Sequence, residues 1–321
     1  MRNIKDISVI IPIYNESNII LELYERLVKV LTELALSYEI IFVNDGSSDD
    51  SMQQILALSR KDKDVLYIDF NRNFGHQIAV SAGMEQCLGR CAVIIDGDLQ
   101  DPPELIPKLY SEYKKGYDVV YAQRNKRLGE TFLKKITAKM FYRILERITN
   151  FTIPFDAGDF RLIDKKVVVA LNEMTEPNKF LRGQIAWLGF SHTSVKFDRD
   201  SRKQGVSGYS YGKMFRLALD AITGFSDRPL LFVSRLGLII SLLSFFIILF
   251  AVFSYFALDR TVSGWTSLII SSAFIGGIQL LSIGIIGEYI ARIDKSVKKR
   301  PLYMVKDTNI IPAVDEGSKD D

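Results

Sequence analysis

Two stretches without a charged residue, Leu236 to Leu258 and Trp265 to Gly287, constrain this chain more than any other feature. Each is long enough to cross a bilayer as a helix, and back-to-back runs of this kind are rare in the cores of soluble domains. The second carries one strongly polar side chain, Gln279. The connection from Asp259 to Gly264 has room for a tight turn, so the runs predict a hairpin with both flanks on one side. Arg228 and Arg235 precede the first run, Arg292, Lys295, Lys298, Lys299 and Arg300 follow the second, and the turn holds one basic residue, Arg260. The positive-inside rule then predicts a multi-pass protein of the cell (inner) membrane, with both termini and the first two-thirds of the chain cytoplasmic. Ile7 to Ile13 is too short for a signal peptide and runs into a polar loop. The two cysteines, Cys87 and Cys91, are too few for a zinc site and fit a reducing compartment.

Ahead of the hairpin, up to about Asp227, charged and apolar residues are mixed, and an apolar content of 48% suits a core-forming chain. Apolar β-rich runs recur at Ile7–Ile13, Tyr38–Val43, Val65–Phe70, Cys91–Ile95 and Tyr117–Tyr121. Between them Ser17–Ala35, Asp49–Arg60, Gly75–Gln86 and Pro103–Lys115 carry helical periodicity and open with caps or a first-turn proline. This alternation predicts an α/β fold with a mainly parallel sheet covered on both faces, and ligands bound beyond the C-terminal strand ends. Those ends carry Pro12-Ile13-Tyr14-Asn15-Glu16, Asn44-Asp45-Gly46-Ser47-Ser48-Asp49, Asn71-Arg72-Asn73-Phe74-Gly75, Asp96-Gly97-Asp98 and Gln123-Arg124-Asn125. No GxGxxG follows the first strand and no GxxxxGK[ST] occurs, so neither a dinucleotide site nor a P-loop is expected.

The run Val93 to Asp101, VIIDGDLQD, places two carboxylates one residue apart where an apolar strand runs out. On an extended strand residues i and i+2 face the same side, so Asp96 and Asp98 are expected to converge, with Gly97 leaving the backbone open to close approach. Paired carboxylates suit a hard divalent cation, Mg²⁺ or Mn²⁺, held together with substrate phosphates. An isolated acidic turn would look the same, so the neighbouring strand ends carry the weight.

After Asn150 the pattern loosens into Asp156-Ala157-Gly158-Asp159-Phe160-Arg161-Leu162, read as a turn, then two helical stretches and a strand over Ser191–Phe197. Arg202-Lys203-Gln204-Gly205-Val206-Ser207-Gly208-Tyr209 reads as a mobile basic loop. Gly212 to Phe225 has a polar face with Lys213, Arg216, Asp220 and Thr223 and an apolar face with Met214, Ala218, Ala221, Ile222 and Phe225, expected to lie in the membrane interface. The predicted domains are therefore 1–208 catalytic, 209–228 juxtamembrane amphipathic helix, 229–291 hairpin (about 236–258 and 265–287) and 292–321 a basic then acidic tail. The net charge of +3 excludes little by itself. Basic residues cluster at Arg124–Lys139, Arg199–Lys203 and after the second run, which beside a hairpin predicts anionic headgroups or a phosphorylated lipid rather than nucleic acid. Glycines 276, 277, 284 and 287 let another helix approach, leaving room for a homo-oligomer.

Taken together, IPIYNE, VNDGSSDD, RNFG, IDGDLQDPPE and DAGDFRL resemble family 2 glycosyltransferases of the GT-A fold. With the hairpin, the chain is similar to the polyprenyl-phosphate glycosyltransferases, above all the bactoprenol glucosyl transferases, with dolichyl-phosphate mannose synthases as close relatives. The resemblance covers residues 5 to 300. It implies that Pro12, Tyr14 and Glu16 line a nucleotide pocket, that Asp45 meets the base or ribose, and that Asp96 and Asp98 hold the metal and diphosphate, with Gln100 a further ligand. It implies Asp159 as the base of an inverting displacement. Chemistry leaves a second role open, since a phosphate monoester is already largely a dianion at neutral pH and needs orienting more than deprotonation. A dianionic acceptor requires cations, for which Arg124, Arg161, Arg202 and Lys134 are the candidates.

Two departures matter. Around Trp187 the chain lacks the QxxRW pattern of processive polysaccharide synthases, and after RNFG it carries His76 and Gln77 where a lysine and an acid are more usual in this subfamily. The expected activity is metal-dependent, inverting transfer of a hexose, glucose from UDP-glucose, to undecaprenyl or polyprenyl phosphate at the cytoplasmic face. The alternatives are a GDP-mannose-dependent mannosyltransferase and a catalytically silent nucleotide-binding scaffold. A small transporter is disfavoured, because two spans without buried charge offer no substrate path.

Overall fold

A computed structural model of the protein describes residues 2–124, 157–197, 228–258 and 264–310. They fall into two compact units: residues 2–124, 157–197 and 300–310 in the first, and residues 228–258 and 264–299 in the second. The expected juxtamembrane helix and the acidic end, 315–321, lie outside the described residues.

The first unit alternates as the sequence predicts. β1 (Lys5–Ile13), α1 (Ile20–Glu33), β2 (Tyr38–Asn44), α2 (Ser51–Lys61), β3 (Val65–Phe70), α3 (His76–Gln86) and β4 (Gly89–Ile94) follow one another. A 3₁₀ turn at Pro103–Leu105 leads into α4 (Ile106–Lys114), then β5 (Val119–Arg124), β6 (Ala157–Asp164), α5 (Lys165–Glu173), α6 (Leu181–Leu188) and β7 (His192–Phe197). β8 (Val305–Thr308) closes the series. The sheet runs β7-β5-β6-β4-β1-β2-β3-β8 among the described residues. Strands β1 to β4 are mutually parallel, while β6 is antiparallel to β4 and β5, and β8 is antiparallel to β3.

Strand alternation splits the core into two layers. Ile7, Val9, Ile11, Phe42 and Val93 pack under Leu23, Leu27, Ile55, Ile106 and Leu109 of α1, α2 and α4. Ile10, Ile41, Ile68, Ala92 and Ile94 face Val80, Met84, Val168 and Leu171 of α3 and α5. Both faces of the sheet are thus covered, and the strand ends are left as the accessible polar rim.

Two expectations are corrected here. The DAGDFRL segment is a strand from Ala157 onward rather than a turn: Phe160 and Leu162 bury in one layer and Ile163 in the other, with Arg161 on the Ile163 side. The segment after the second apolar run is not all tail. Lys306, Asp307 and Thr308 lie in the edge strand β8, and Ile310 is buried in the second layer.

The second unit contains α7 (Arg228–Leu258) and α8 (Trp265–Val297). By length and composition each can cross a membrane, with mean hydropathy of 2.3 over Leu230–Ile247 and 1.6 over Phe274–Val297. α8 runs past the expected end of the second apolar stretch and carries Glu288, Arg292, Asp294 and Lys295 on its last turns.

Candidate active site

The C-terminal ends of β1, β2 and β4 open onto a cleft of about 300 Å³. Pro12, Tyr14, Glu16, Asp45, Asp96 and Asp98 line it, joined by Ile13, Asn73, Gly75, His76 and Gly97. Six of the sequence-predicted residues therefore share one space. Pro12 is the penultimate residue of β1, where its missing N–H removes a ladder donor near the strand terminus, and Tyr14 just beyond β1 is half exposed.

Asp45 follows β2 and is buried at 3% exposure. Its Oδ1 accepts from the Phe74 N–H at 2.6 Å and its Oδ2 from the Gly75 N–H at 2.9 Å. Burial pushes its proton affinity up, and those two amides work against the rise. Gly46, at φ +68°, lets the chain after β3 settle on this turn, since a Cβ there would sit 2.4 Å from the Arg72 carbonyl carbon. Asp45 therefore fixes the loop on the far side of the cleft as well as lining it.

The DGD carboxylates do not converge by strand alternation. β4 ends at Ile94, Asp96 lies past it outside any strand, and Asp98 is in a turn followed by Leu99 at φ +55°. Gly97 packs against the end of β1, where a Cβ would come within 2.5 Å of Ile13 Cδ1, and this close approach seats the turn in the cleft. Gln100 is buried at 9% exposure and does not line the cleft; its backbone N–H donates to Asp98 Oδ1 at 3.1 Å. It shapes the turn through its amide.

β6 supplies the other half. The β4–β6 register pairs Ile94 with Arg161, and continuing it two residues beyond Ile94 brings Asp96 opposite Asp159. His76, the first residue of α3, reaches between them, with Nε2 3.6 Å from Asp96 Oδ1 and 3.6 Å from Asp159 Oδ2. These three donor groups lie within 4.8 Å of one another.

Asp159 carries two guanidinium groups. Arg182 of α6 donates from Nε to Oδ1 at 3.0 Å and from Nη2 to Oδ2 at 3.0 Å, and Arg161 Nη2 donates to Oδ1 at 2.8 Å. Burial alone would raise the Asp159 proton affinity, but Arg182 and Arg161 hold its carboxyl well below the usual carboxylate range. Asp96 shows the opposite balance. Burial pushes it up to about 6 against the pull of His76, and the negative Asp159, Asp101 and Asp98 add to the rise. Its Oδ1 is solvent-inaccessible and has no hydrogen-bond partner among the described residues.

Arg161, expected at an acceptor phosphate, is 1% exposed. Besides the Asp159 side chain it bonds the carbonyl oxygens of Asp159 at 3.0 Å and Gly158 at 3.2 Å, and its guanidinium carbon lies 5.6 Å from the Tyr121 ring centroid. It supports Asp159 from behind, which corrects the sequence expectation. Arg124 ends β5; Lys134 and Arg202 lie outside the described residues. Sequence reasoning missed Arg182, because nothing around Leu181-Arg182-Gly183 distinguishes that arginine from a surface charge, and it left His76 as a departure from pattern.

Residues 8–171 match the family described as Glycosyl transferase family 2. The uncharacterized glycosyltransferase YkcC of Bacillus subtilis (strain 168) is 47% identical over 299 residues, covering 93% of each chain. The bactoprenol glucosyl transferase of Shigella phage SfX is 36% identical over 301 residues, 94% of this chain and 98% of that one. Among solved structures, glucosyl-3-phosphoglycerate synthase from Mycobacterium tuberculosis with Mn²⁺, UDP-Glc and phosphoglyceric acid superposes with a TM-score of 0.49 at 16% identity, over 68% of this chain and 79% of that one. With half of its length matched by the family and relatives aligned over nearly all of it, this protein is a glycosyltransferase of family 2, built on the GT-A arrangement that its sequence predicts.

Proposed function

We propose that the protein transfers glucose from UDP-glucose to undecaprenyl or a related polyprenyl phosphate at the cytoplasmic face of the cell membrane, with inversion at the anomeric carbon. The observation that carries this reading is the juxtaposition across one strand pair of an acidic turn, Asp96 to Asp98, and a carboxylate bearing two arginines, Asp159. The acidic side suits a nucleoside diphosphate with its cation, and the guanidinium side suits a phosphate acceptor. Relatives named bactoprenol glucosyl transferase, aligned over 94% of this chain, support the acceptor class.

The residues fit a divalent cation. Asp96 and Asp98 would hold it, His76 Nε2 stands within reach, and the orphaned Asp96 oxygen is accounted for by such a ligand. Asp159 is the weakest ligand of the group, since both its oxygens already accept from arginine. When bound, the cation would supply positive charge to offset that of the leaving diphosphate. Asp45 and the loop it fixes frame the nucleotide side, and Tyr14 and Glu16 close the rim. An oxygen of the lipid phosphate forms the new bond to the anomeric carbon while the bond to UDP breaks and its electron pair leaves with the diphosphate. Since Asp159 is held ionised by two arginines, it is a poor proton acceptor, and a dianionic phosphate needs none. Asp159 instead sets the guanidinium of Arg182, one-third exposed, to meet the acceptor. The apolar helices α7 and α8 would anchor the chain to the membrane, and the return of the chain to the first unit as β8 beside β3 supports the hairpin reading.

A proton on Asp96 competes with the cation, and its raised proton affinity moves that competition into an accessible range. Mn²⁺ binding to the substrate-free protein is expected to be constant above about pH 7 and to weaken about tenfold per pH unit below about 6, by isothermal titration. Affinity unchanged between pH 5 and 7.5 would remove Asp96 from the ligand set. The reaction itself is tested with membranes containing the protein and labelled UDP-glucose, UDP-GlcNAc and GDP-mannose in parallel. Label is expected in the lipid extract from UDP-glucose, with Mg²⁺ or Mn²⁺ present, and none from any donor would sink the proposal.

A further inference from the structure

The loop from Asn71 to Gly75 supplies Asn73 and Gly75 to the cleft and ends at His76, so its placement decides the nucleotide side. On the cleft side it is held by Asp45. On the other side it is held by a segment distant in sequence. The Tyr303 ring stacks on Phe70 with centroids 4.9 Å apart and planes 25° off parallel. Phe70 meets Phe74 edge-on at 5.6 Å, and the Arg72 guanidinium lies 4.0 Å from the Phe74 ring centroid. The Asn71 N–H donates to the Met304 carbonyl at 3.1 Å. The Tyr303 hydroxyl donates to Glu85 Oε2 at 2.5 Å, on the helix that His76 begins. Tyr303 therefore touches the root of the loop at Phe70 and, through Glu85, the last turn of α3.

The anchoring of this segment is independent of Tyr303. β8 pairs with β3, Asn309 Oδ1 accepts from the Tyr67 N–H at 2.8 Å, Asn309 Nδ2 donates to the Val65 carbonyl at 3.0 Å, and Thr308 Oγ1 donates to the Tyr67 carbonyl at 2.7 Å. Since β8 is fixed by backbone pairing and by Asn309, the stacked tyrosine is not needed merely to close the sheet edge. Its ring contact reaches the loop through Phe70, which meets Phe74.

We propose that Tyr303 is a positioning residue for the nucleotide sugar, acting through Phe70 and Phe74 to hold the Arg72–Gly75 loop against Asp45, so that the donor side of the cleft is complete only with the post-hairpin segment in place. This rests on the reading of the cleft as a nucleotide-sugar site.

The test uses the full-length protein in lipid nanodiscs, comparing wild type, Tyr303→Ala and Tyr303→Phe. By hydrogen exchange, the Phe74 and Gly75 amides of Tyr303→Ala are expected to exchange at least about tenfold faster than wild type, with β1 and β4 amides unchanged. In the transfer assay the donor KM is expected to rise about five- to tenfold with kcat within about twofold, and Tyr303→Phe, which keeps the stack, to stay within about twofold on both. Unchanged exchange at Phe74 and Gly75, or acceleration spread evenly over the sheet, would overturn the proposal, as would local acceleration with an unaltered donor KM. Should wild type transfer no sugar at all, the proposed reaction fails while the exchange comparison still decides whether Tyr303 holds the loop.

Discussion

Replacing Asp98 with asparagine is expected to lower sugar transfer by about three orders of magnitude or more while leaving the fold intact. Loss of a cation that stabilises the leaving diphosphate removes several kcal/mol of transition-state stabilisation, which is a factor on the order of 10³. Asparagine has the size of aspartate, and its side-chain oxygen can still accept the Gln100 N–H that shapes the turn. The turn is also held by Gly97 against Ile13, a contact that the substitution leaves alone. The melting temperature should therefore stay within about 3 °C of wild type, and Mn²⁺-dependent donor binding should be lost. Initial rates of lipid-linked product formation beside a thermal melt check both halves. More than a tenth of wild-type rate would mean that Asp98 does not hold the cation.

Asp159→Asn should have the second largest effect, and a different one. Arg161 is buried at 1% exposure and loses its charge partner, which costs about 3–5 kcal/mol for an ion left unpaired in the interior. Asparagine keeps one acceptor oxygen and turns the other into a donor, so Arg182 keeps at most one of its two bonds and its guanidinium is no longer clamped toward the acceptor. Transfer is expected to fall about 10²-fold in kcat, with the donor KM near wild type. A stability measurement separates the two losses. Combining Asp159→Asn with Arg161→Met should return most of the lost stability without restoring turnover. Loss of donor binding in the single variant would put Asp159 on the wrong side of the cleft. The pH dependence has a definite sign. With its proton affinity depressed in the folded state, Asp159 lends its full stability above about pH 4, where the unfolded carboxylate is also ionised, and loses it as pH falls further. Nothing in its titration should shape the rate between pH 6 and 8.

The alternating layers were legible because β-rich runs and amphipathic helices each bury one predictable side: Ile7, Val9 and Ile11 share one layer and Ile10 the other, as period-two spacing requires. The residues at the ends of β1, β2 and β4 were legible for the same reason, since a parallel sheet collects its strand ends. β6 was hidden by its own chemistry. A charged Arg161 at an inward position breaks the apolar alternation, and the two glycine-proximal carboxylates before it look like a turn. β8 was hidden because every residue in it is exposed, as an edge strand tolerates, so it leaves no hydrophobic pattern. His76 and Arg182 could not be placed because their roles arise from packing between α3, α6 and β6, elements with no local signal of their proximity.

The antiparallel pairing of β6 with β4 also determines what this site can tolerate. Asp96 lies two residues past the last β4–β6 pair, Ile94 with Arg161, and Asp159 two residues before Arg161 on β6, so the ladder holds both and one carboxylate oxygen of each lies within 4.8 Å of the other. The gap between the two carboxylates is therefore expected to survive changes of length or sequence between Arg124 and Ala157. A one-residue slip within β6 would do the reverse, sending Phe160 into the cleft and the carboxylate into the core. Under the proposed reaction, changes of acceptor would then fall to the surrounding loops while the spacing of the two carboxylates stays with the sheet.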